Sequence, residues 1–273
     1  AGLVKMDFLG LKNLSIIDKC LNLIKKNRDE EVDVENLPLD DKKTYQLLQR
    51  ADTKGVFQLE SSGMQNIIRR LGPTTFEDII AIVALYRPGP LGSGMVDDFI
   101  KRKKDPSQIS YPHKLLEPIL KDTLGVIVYQ EQVMLISQVM AGFTLPEADK
   151  LRKAMGKKKK KLIDELKPKF VEGCKKNGLP EKKVDKIWKD WEAFASYAFN
   201  KSHSTCYAYI SYQTAYLKAH YPAEYMCAVL SRNLNDIKKV SLSMGEAKRM
   251  GLDVLLPDVN ESFNDFTVND KGQ

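Results

Sequence analysis

Apolar residues recur every three to four positions along most of this 273-residue chain, and this spacing constrains its fold more than any other feature. Leu14, Ile17 and Leu21 are one example, because residues at this spacing lie on one face of a helix. About eleven segments show such a pattern. Three short segments are instead typical of extended strands: residues 2–9, 125–129 and 254–256. The sequence therefore predicts a mainly α fold, a multi-helix domain with a few short β segments.

The segment 87–94 interrupts the helical pattern, since it contains two prolines and three glycines. Proline lacks a backbone N–H and glycine does not restrict the backbone, so we expect a rigid, irregular loop here. Further along the chain, residues 145–169 are predicted to form one helix. Another is predicted over residues 204–221, with Ser202 or Ser204 as its N-cap.

Several classes of protein are excluded by what the sequence lacks. No apolar run approaches the roughly 18–20 residues that a membrane span needs, so no membrane partner is expected. There is no GxxxxGK[ST], GxGxxG, HExxH or GxSxG motif, and no CxxC pair that would suggest a zinc site. Four scattered cysteines are typical of a reduced, cytoplasmic protein. The chain starts without methionine or a signal pattern, and we expect it to be a piece of a longer protein.

Positive charge is concentrated in one segment of the chain. Residues 150–189 hold 16 Lys and Arg against 5 Asp and Glu, a net charge of +11, while the whole chain carries +7. The rest of the protein is therefore mildly acidic. Such a segment is either a solvated lysine-rich helix face or a binding surface for nucleic acid or nucleotide phosphates, and charge alone leaves both open.

Three groups of residues could carry chemistry. Lys5 and Asp7 share one face of the predicted first strand, where a carboxylate could bind a metal and an ammonium a phosphate; an exposed ion pair is the alternative. Arg152 and Lys153 are adjacent in the basic segment, and arginine can bind a phosphate with two N–H groups. The third group is Asn200, Lys201, Ser202 and His203, at the start of a predicted helix whose N–H groups could bind a phosphate. His203 could instead be a core histidine.

Several motifs occur in order along the chain, and together they resemble the alpha subunits of bacterial DNA polymerase III, the C-family of replicative polymerases. These motifs are Gly-Leu-Val-Lys-Met-Asp-Phe-Leu-Gly-Leu (2–11), Gly-Val-Phe-Gln-Leu-Glu-Ser (55–61), Tyr-Arg-Pro-Gly-Pro-Leu (86–91), Tyr-Gln-Glu-Gln-Val-Met (129–134), Leu-Arg-Lys-Ala-Met-Gly-Lys-Lys (151–158), Phe-Asn-Lys-Ser-His-Ser (199–204), Ser-Tyr-Gln-Thr-Ala-Tyr-Leu-Lys-Ala-His-Tyr-Pro-Ala-Glu (211–224) and Leu-Pro-Asp-Val-Asn (256–260). The resemblance covers the whole chain.

The resemblance implies a division of the chain. Residues 1–12 would be the C-terminal edge of the palm, an incomplete domain that contributes a residual strand. Residues 13–235 would form the fingers domain. Residues 236–273 would be the C-terminal part of the fingers, leading towards a helix-hairpin-helix region. A palm of this family carries three metal-binding aspartates, of which this chain holds one, so the fragment alone is expected to be inactive.

The resemblance also implies a role for each candidate residue in a DNA-directed DNA polymerase that uses two Mg²⁺ ions. Asp7 would be a catalytic metal ligand. Incoming deoxynucleoside triphosphate would be bound by Lys5, Arg87, Arg152, Lys153, Asn200, Lys201, Ser202 and His203. Primer-template DNA would be contacted by Lys157, Lys158 and Lys159. The family more often has two arginines at 152 and 153, so Lys153 keeps the charge without the forked geometry.

The resemblance also predicts partners in bacterial chromosome replication, within the cytoplasm and the nucleoid-associated replisome. Other replicase subunits, such as the sliding clamp, would bind through regions outside this chain. The alternative is a stand-alone basic module that binds nucleic acid without catalysis. Lys5 and Asp7 distinguish the two hypotheses, because a binding module has no need of a metal-ligating carboxylate beside a lysine.

Overall fold

Helices dominate the structure, a computed structural model that describes residues 2–6, 10–157, 159–180, 184–185, 187–189 and 197–273. The α-helices of this described part are α1 (Lys12–Arg28), α2 (Lys42–Gln49), α3 (Ser62–Leu71), α4 (Phe76–Leu85), α5 (Pro88–Gly92), α6 (Met95–Lys104), α7 (Glu117–Leu120), α8 (Gln130–Ala141), α9 (Leu145–Gly156), α10 (Lys160–Lys176), α11 (Lys201–His220), α12 (Pro222–Arg232) and α13 (Ile237–Arg249). Three single 3₁₀ turns are Pro106–Gln108, Lys114–Leu116 and Lys121–Thr123. None of the described helices is both long enough and apolar enough to cross a membrane.

The chain divides into two compact units, which we call the terminal unit and the central unit. The terminal unit comprises Ala1–Thr75 and Tyr209–Gln273, and the central unit comprises Phe76–Ala208. The predicted boundaries at residues 12 and 235 do not mark this division, and they stay a prediction. Helix α11 contributes its first two turns to the central unit and the rest to the terminal unit.

The core of the terminal unit is built where α1 packs against α12 and α12 against α13. Ile17, Cys20 and Ile24 of α1 are buried there together with Tyr225 and Val229 of α12. Their spacing of three and four residues places them on one face of each helix. Local sequence sets the starts of two smaller helices, since Asp41 caps α2 and Ser61 caps α3.

A buried ion pair joins α11 to α13 within the terminal unit. Lys218 Nζ lies 2.7 Å from Glu246 Oε1, and the two side chains are 0% and 1% exposed. The ammonium also donates hydrogen bonds to the main-chain oxygens of Asp52 and Lys54, at 2.7 and 2.8 Å. Arg249 adds two hydrogen bonds to the Glu246 carboxylate. All three donors of the ammonium therefore have acceptors, as a buried charge requires.

The core of the central unit lies between α8, α9 and α10, which pack on one another in all three pairings. Phe170 of α10 contacts the rings of Phe143 and Trp188, at centroid distances of 6.1 and 5.1 Å. A glycine permits the close approach of α10 to α8, because a Cβ at Gly173 would collide with the carbonyl oxygen of Ala141. The three helices therefore form a closely packed platform for the side chains on their outer faces.

The structure confirms the mainly α prediction but not the short β segments. No sheet forms among the described residues, and a single parallel bridge between Tyr129 and Phe199 is the one strand-like pairing found there. Residues 2–6 belong to no strand, and Val4 and Met6 are exposed, so the predicted residual palm strand is not confirmed; residues 7–9 lie outside the described part. An extended segment becomes a strand only when its main chain pairs with another segment in a ladder of hydrogen bonds, and no such ladder is found among the described residues.

Two helical predictions need correction. The segment 87–94 is not wholly irregular, because Pro88–Gly92 forms a short helix whose proline at the first turn has a suitable φ. The predicted helix 145–169 is interrupted: α9 ends at Gly156 and α10 begins at Lys160. Gly156 is the last residue of α9, and glycine is a poor helix former, which favours a break at this point.

Candidate functional site

Helix α9 separates its apolar and charged residues onto different faces. Its first turn is fixed by a capping box between Thr144 and Glu147. Four residues of the helix are fully buried in the core of the central unit: Ala148, Leu151, Ala154 and Met155. Asp149, Arg152 and Lys153 follow at spacings of three and four, so the helical period brings their charged groups together at the surface.

Asp149 binds both cations of this face. Its Oδ1 accepts hydrogen bonds from Nε and Nη2 of Arg152, at 2.9 and 2.6 Å. Its Oδ2 lies 2.6 Å from the Lys153 ammonium. Hydrogen bonds from Lys153 first, and then from Arg152, hold the pKa of this carboxyl below its ordinary value. Arg152 reaches further through Nη1, which donates to Gln130 Oε1 on α8 at 3.0 Å.

The bridge between Tyr129 and Phe199 places the start of α8 beside the start of α11. Phe199 N donates to Val128 O at 3.0 Å, and Gln130 N donates to Phe199 O at 2.8 Å. Gln130 therefore links two predicted groups, since its main chain pairs with the segment before Asn200 and its side chain accepts from Arg152.

The first turn of α11 is occupied by polar groups of the protein itself. Asn200 Oδ1 accepts from His203 N at 2.7 Å, and so Asn200 is the cap where Ser202 or Ser204 was predicted. The carboxylate of Glu131 accepts from Lys201 N at 2.9 Å and from Asn200 Nδ2 at 3.0 Å. The helix begins earlier than predicted, which leaves Ser204 inside it. A phosphate at this helix end would have to compete with Glu131.

Arg87 lies against the same bridge. Its guanidinium is 4.4 Å from the centre of the Phe199 ring and donates to the main-chain oxygens of Ala84 and Tyr197, at 2.9 and 2.6 Å. Burial lowers the pKa of Arg87 relative to its ordinary value. His203 is exposed and is not a core histidine; its ring lies 5.3 Å from that of Phe199 and 4.3 Å from that of Tyr207.

Apart from the predicted metal ligand, the other predicted site residues are lysines and one serine. Lys201 is half-buried, with its ammonium 5.4 Å from the centre of the Tyr129 ring. Ser202 is exposed. Lys157 and Lys159 are exposed at the break between α9 and α10, and Lys158 lies outside the described residues. Lys5 is exposed and belongs to the terminal unit, whereas the groups above lie in the central unit.

The predicted metal ligand is not tested by the structure, because Asp7 lies outside the described residues. Within the described part of the chain, no group of three or more Asp, Glu, His or Cys residues is arranged to hold a metal ion. The described residues of the candidate site form a cluster of cations and hydrogen-bond donors, with the carboxylates of Asp149 and Glu131 as acceptors.

Three residues of this cluster were absent from the predicted site: Gln130, Glu131 and Asp149. The first two belong to the Tyr-Gln-Glu-Gln motif at 129–132, which carried the family resemblance without assigned roles. Asp149 could have been found from helical spacing alone, because acidic residues three and four positions before basic ones pair on a helix surface. The contact of Glu131 with Asn200 joins residues 69 positions apart, so no local sequence pattern indicates it.

Comparisons with known proteins agree with the motifs. The family model for the finger domain of bacterial DNA polymerase III alpha subunits matches residues 13–178. DNA polymerase III subunit alpha of Aquifex aeolicus is 54% identical over 98% of this chain, and that of Escherichia coli K12 is 52% identical over all of it. The subunit of Pseudomonas aeruginosa is 51% identical. The chain spans about a quarter of the length of these relatives, 23–24%. The chain therefore belongs to the bacterial DNA polymerase III alpha subunit finger-domain family.

Proposed function

We propose that this chain is the fingers portion of a DNA-directed DNA polymerase and binds the triphosphate of an incoming deoxynucleotide. The observation that carries this proposal is the connected cluster in the central unit. Arg152 lies within α9, Gln130 begins α8 and Asn200 caps α11, yet hydrogen bonds and the bridge at Phe199 join them. The cluster supplies a forked arginine and two lysines within one compact unit, which suits a polyanionic ligand.

Each predicted nucleotide-binding group would have a distinct task. Arg152 can bind phosphate oxygens in a forked geometry, while Lys153 and Lys201 add mobile positive charge. Arg87 lies against the Phe199 ring, and it would position this ring and the adjacent His203 rather than compete for phosphate. Lys5 and Ser202 remain proposed ligands because of their positions in the family motifs.

Primer-template DNA is the proposed partner of the lysines at the break between α9 and α10. Lys157 and Lys159 are exposed there, and the backbone at Lys159 is non-helical. Contacts of this kind neutralise phosphates without reading sequence, so they give salt-sensitive binding. We expect the chain to bind duplex DNA weakly, and we expect a Lys157→Ala, Lys159→Ala variant to show a shallower dependence of log K on log salt concentration.

Catalysis would belong to a longer polymerase that contains this segment. Two Mg²⁺ ions, with Asp7 as one ligand, would supply the metal chemistry of nucleotidyl transfer. Residues 1–12 would complete a palm, residues 13–235 would be the fingers and residues 236–273 would lead out of them. This chain alone would be inactive, and replicase subunits such as the sliding clamp would bind elsewhere.

The test is steady-state primer extension by the whole polymerase that contains this segment, with Arg152→Ala as the variant. We expect the KM for deoxynucleotide to rise at least about tenfold, since a charge-assisted contact to the triphosphate is lost. Arg69→Ala is the matched control, because it removes the same charge from an exposed position on α3 in the terminal unit. An unchanged KM in Arg152→Ala would remove this residue from the site.

A second variant separates catalysis from binding alone. Asp7→Asn in the same polymerase should abolish extension while primer-template binding persists, because the amide cannot replace a metal-ligating carboxylate. Extension at the wild-type rate would favour the alternative, a basic module that binds nucleic acid without contributing to the reaction.

A further inference from the structure

We propose that Asp149 is an internal counter-ion, which occupies the phosphate-binding groups of Arg152 and Lys153 until a phosphate ligand displaces it. This inference rests on the proposed function, since it concerns the same cations. Arg152 and Lys153 provide the affinity for phosphate, and Asp149 limits that affinity.

The geometry of the Asp149 carboxylate resembles that of a bound anion. One oxygen accepts two hydrogen bonds from Arg152 and the other contacts Lys153 at 2.6 Å. Carboxylate and phosphate oxygens bind to a guanidinium in the same forked manner, so the two compete for the same donors. The side chain of Asp149 is 33% exposed, and that of Arg152 is 26% exposed. An incoming anion can therefore reach the pair without unfolding the helix.

A second carboxylate in the cluster shows the same arrangement. Glu131 accepts hydrogen bonds from the main chain of Lys201 and the side chain of Asn200, which are the donors expected to face a ligand. Gln130, the residue before it, accepts from Arg152. The two halves of the cluster thus each hold a carboxylate in place of an external anion.

The consequence is a site that binds phosphate ligands with only moderate affinity. A ligand must replace the Asp149 contacts, and the displaced carboxylate then lies beside the bound anion and repels it. This repulsion grows with the charge of the ligand and declines with salt. After the ligand leaves, Asp149 takes back both cations, which favours release of a product such as pyrophosphate.

The experiment is isothermal titration calorimetry of this chain with inorganic tripolyphosphate and with orthophosphate, at about 0.1 M ionic strength. We expect Asp149→Asn to bind tripolyphosphate roughly 3- to 10-fold more tightly than wild type, with a smaller gain for orthophosphate. Asp149→Glu keeps the negative charge that Asp149→Asn removes, and it should bind tripolyphosphate within about twofold of wild type. Glu172→Gln is the matched control, because it removes the charge of another i, i+4 pair, with Lys176 on α10, and should have little effect.

The outcomes separate this inference from the proposed function. Arg152→Ala should weaken binding; if it does, and Asp149→Asn binds as wild type or more weakly while keeping its far-ultraviolet spectrum, the counter-ion role is overturned and the phosphate site stands. If Arg152→Ala binds as tightly as wild type, the proposed role of Arg152 fails and Asp149 has no cation site to limit. Binding by Asp149→Asn together with none by wild type would support the counter-ion role most directly.

Discussion

Lys218 and Glu246 form an ion pair that is shielded completely from solvent, with Nζ and Oε1 2.7 Å apart. Removing two charges from water is costly, and such a pair is tolerated only when every donor finds an acceptor. Lys218 meets this condition by binding the carbonyl oxygens of Asp52 and Lys54 as well. The pair thereby fastens the loop between α2 and α3 to the core of the terminal unit.

Substitution of Lys218 by methionine should therefore be strongly destabilising. The variant removes the hydrogen bonds to two main-chain oxygens and deprives the buried Glu246 carboxylate of one cation, so we expect the free energy of unfolding to fall by about 3–5 kcal/mol. Urea denaturation followed by circular dichroism measures this. Lys239→Met is the control, because Lys239 pairs with Asp236 at the surface and its loss should cost less than about 1 kcal/mol. Equal losses in the two variants would contradict the prediction.

Stability should also fall in acid because of Glu246. Burial acts to raise the pKa of this carboxyl, but hydrogen bonds from Arg249 and Lys218 outweigh it and hold the pKa at about 2, against an ordinary value of 4.5. Between these values the unfolded chain binds a proton that the folded chain does not. The contribution is therefore complete above about pH 5 and is lost as the pH falls towards 2.

This acid dependence is measured as the free energy of unfolding against pH. Between pH 5 and 2, the free energy of unfolding should decline by about 3 kcal/mol less in Glu246→Gln than in wild type, since the amide does not titrate. Glu31→Gln, which removes an exposed partner of Lys25, should retain most of the decline. Identical curves for wild type and Glu246→Gln would show that other carboxyls cause the acid sensitivity.

Replacement of Gly173 by alanine should separate α10 from α8. The new methyl group meets the main-chain oxygen of Ala141, which cannot move as a side chain could, so we expect a loss of about 1–3 kcal/mol in the free energy of unfolding. Gly245 on α13 has open space around it, and Gly245→Ala should be neutral or stabilising by up to about 1 kcal/mol. Thermal denaturation of the two variants compares the same added methyl group at a crowded position and at a position with open space.

Gln132 should prove essential for holding the start of α8. Its buried amide accepts hydrogen bonds from Val128 N and Tyr129 N and donates to Ile119 O and to Thr123 Oγ1. Gln132→Leu keeps the size but leaves these groups unpaired, which should cost at least about 2 kcal/mol.

The same substitution should weaken tripolyphosphate binding, since the start of α8 holds Gln130 against Arg152. Calorimetry on the folded variant measures this effect. Gln138→Leu, a half-buried position further along α8, is the control for the loss of an amide. Unaltered binding in Gln132→Leu would mean that Gln130 keeps its place without this support.

Features governed by neighbouring residues could be predicted from the sequence. The face of α1 that contains Ile17 and Ile24 follows from periodicity, and the clustering of charge around Arg152 follows from composition. The break after Gly156 was missed because the helical pattern of apolar residues continues on both sides of it.

Features that depend on distant residues could not be predicted. The strand-like pairing of Tyr129 requires Phe199, and the occupation of the α11 terminus requires Glu131, so neither can be inferred from either segment alone. Lys218 shows the same limit in the core: nothing around it in a tyrosine-rich helix signals that it is buried against Glu246. The positions of Lys5 and Asp7 relative to the cluster stay a prediction.

The bridge between Tyr129 and Phe199 also bears on the order in which the central unit folds. It encloses α8, α9 and α10, whose contacts with one another are shorter in sequence and lose less chain entropy when they form. The three-helix platform can therefore assemble first, and the bridge closes the larger loop afterwards. Arg152 would acquire its helix early but meet Gln130 in its final geometry only at closure. By this argument the cluster matures after the three-helix platform, and refolding chains should regain helix content before they regain affinity for phosphate.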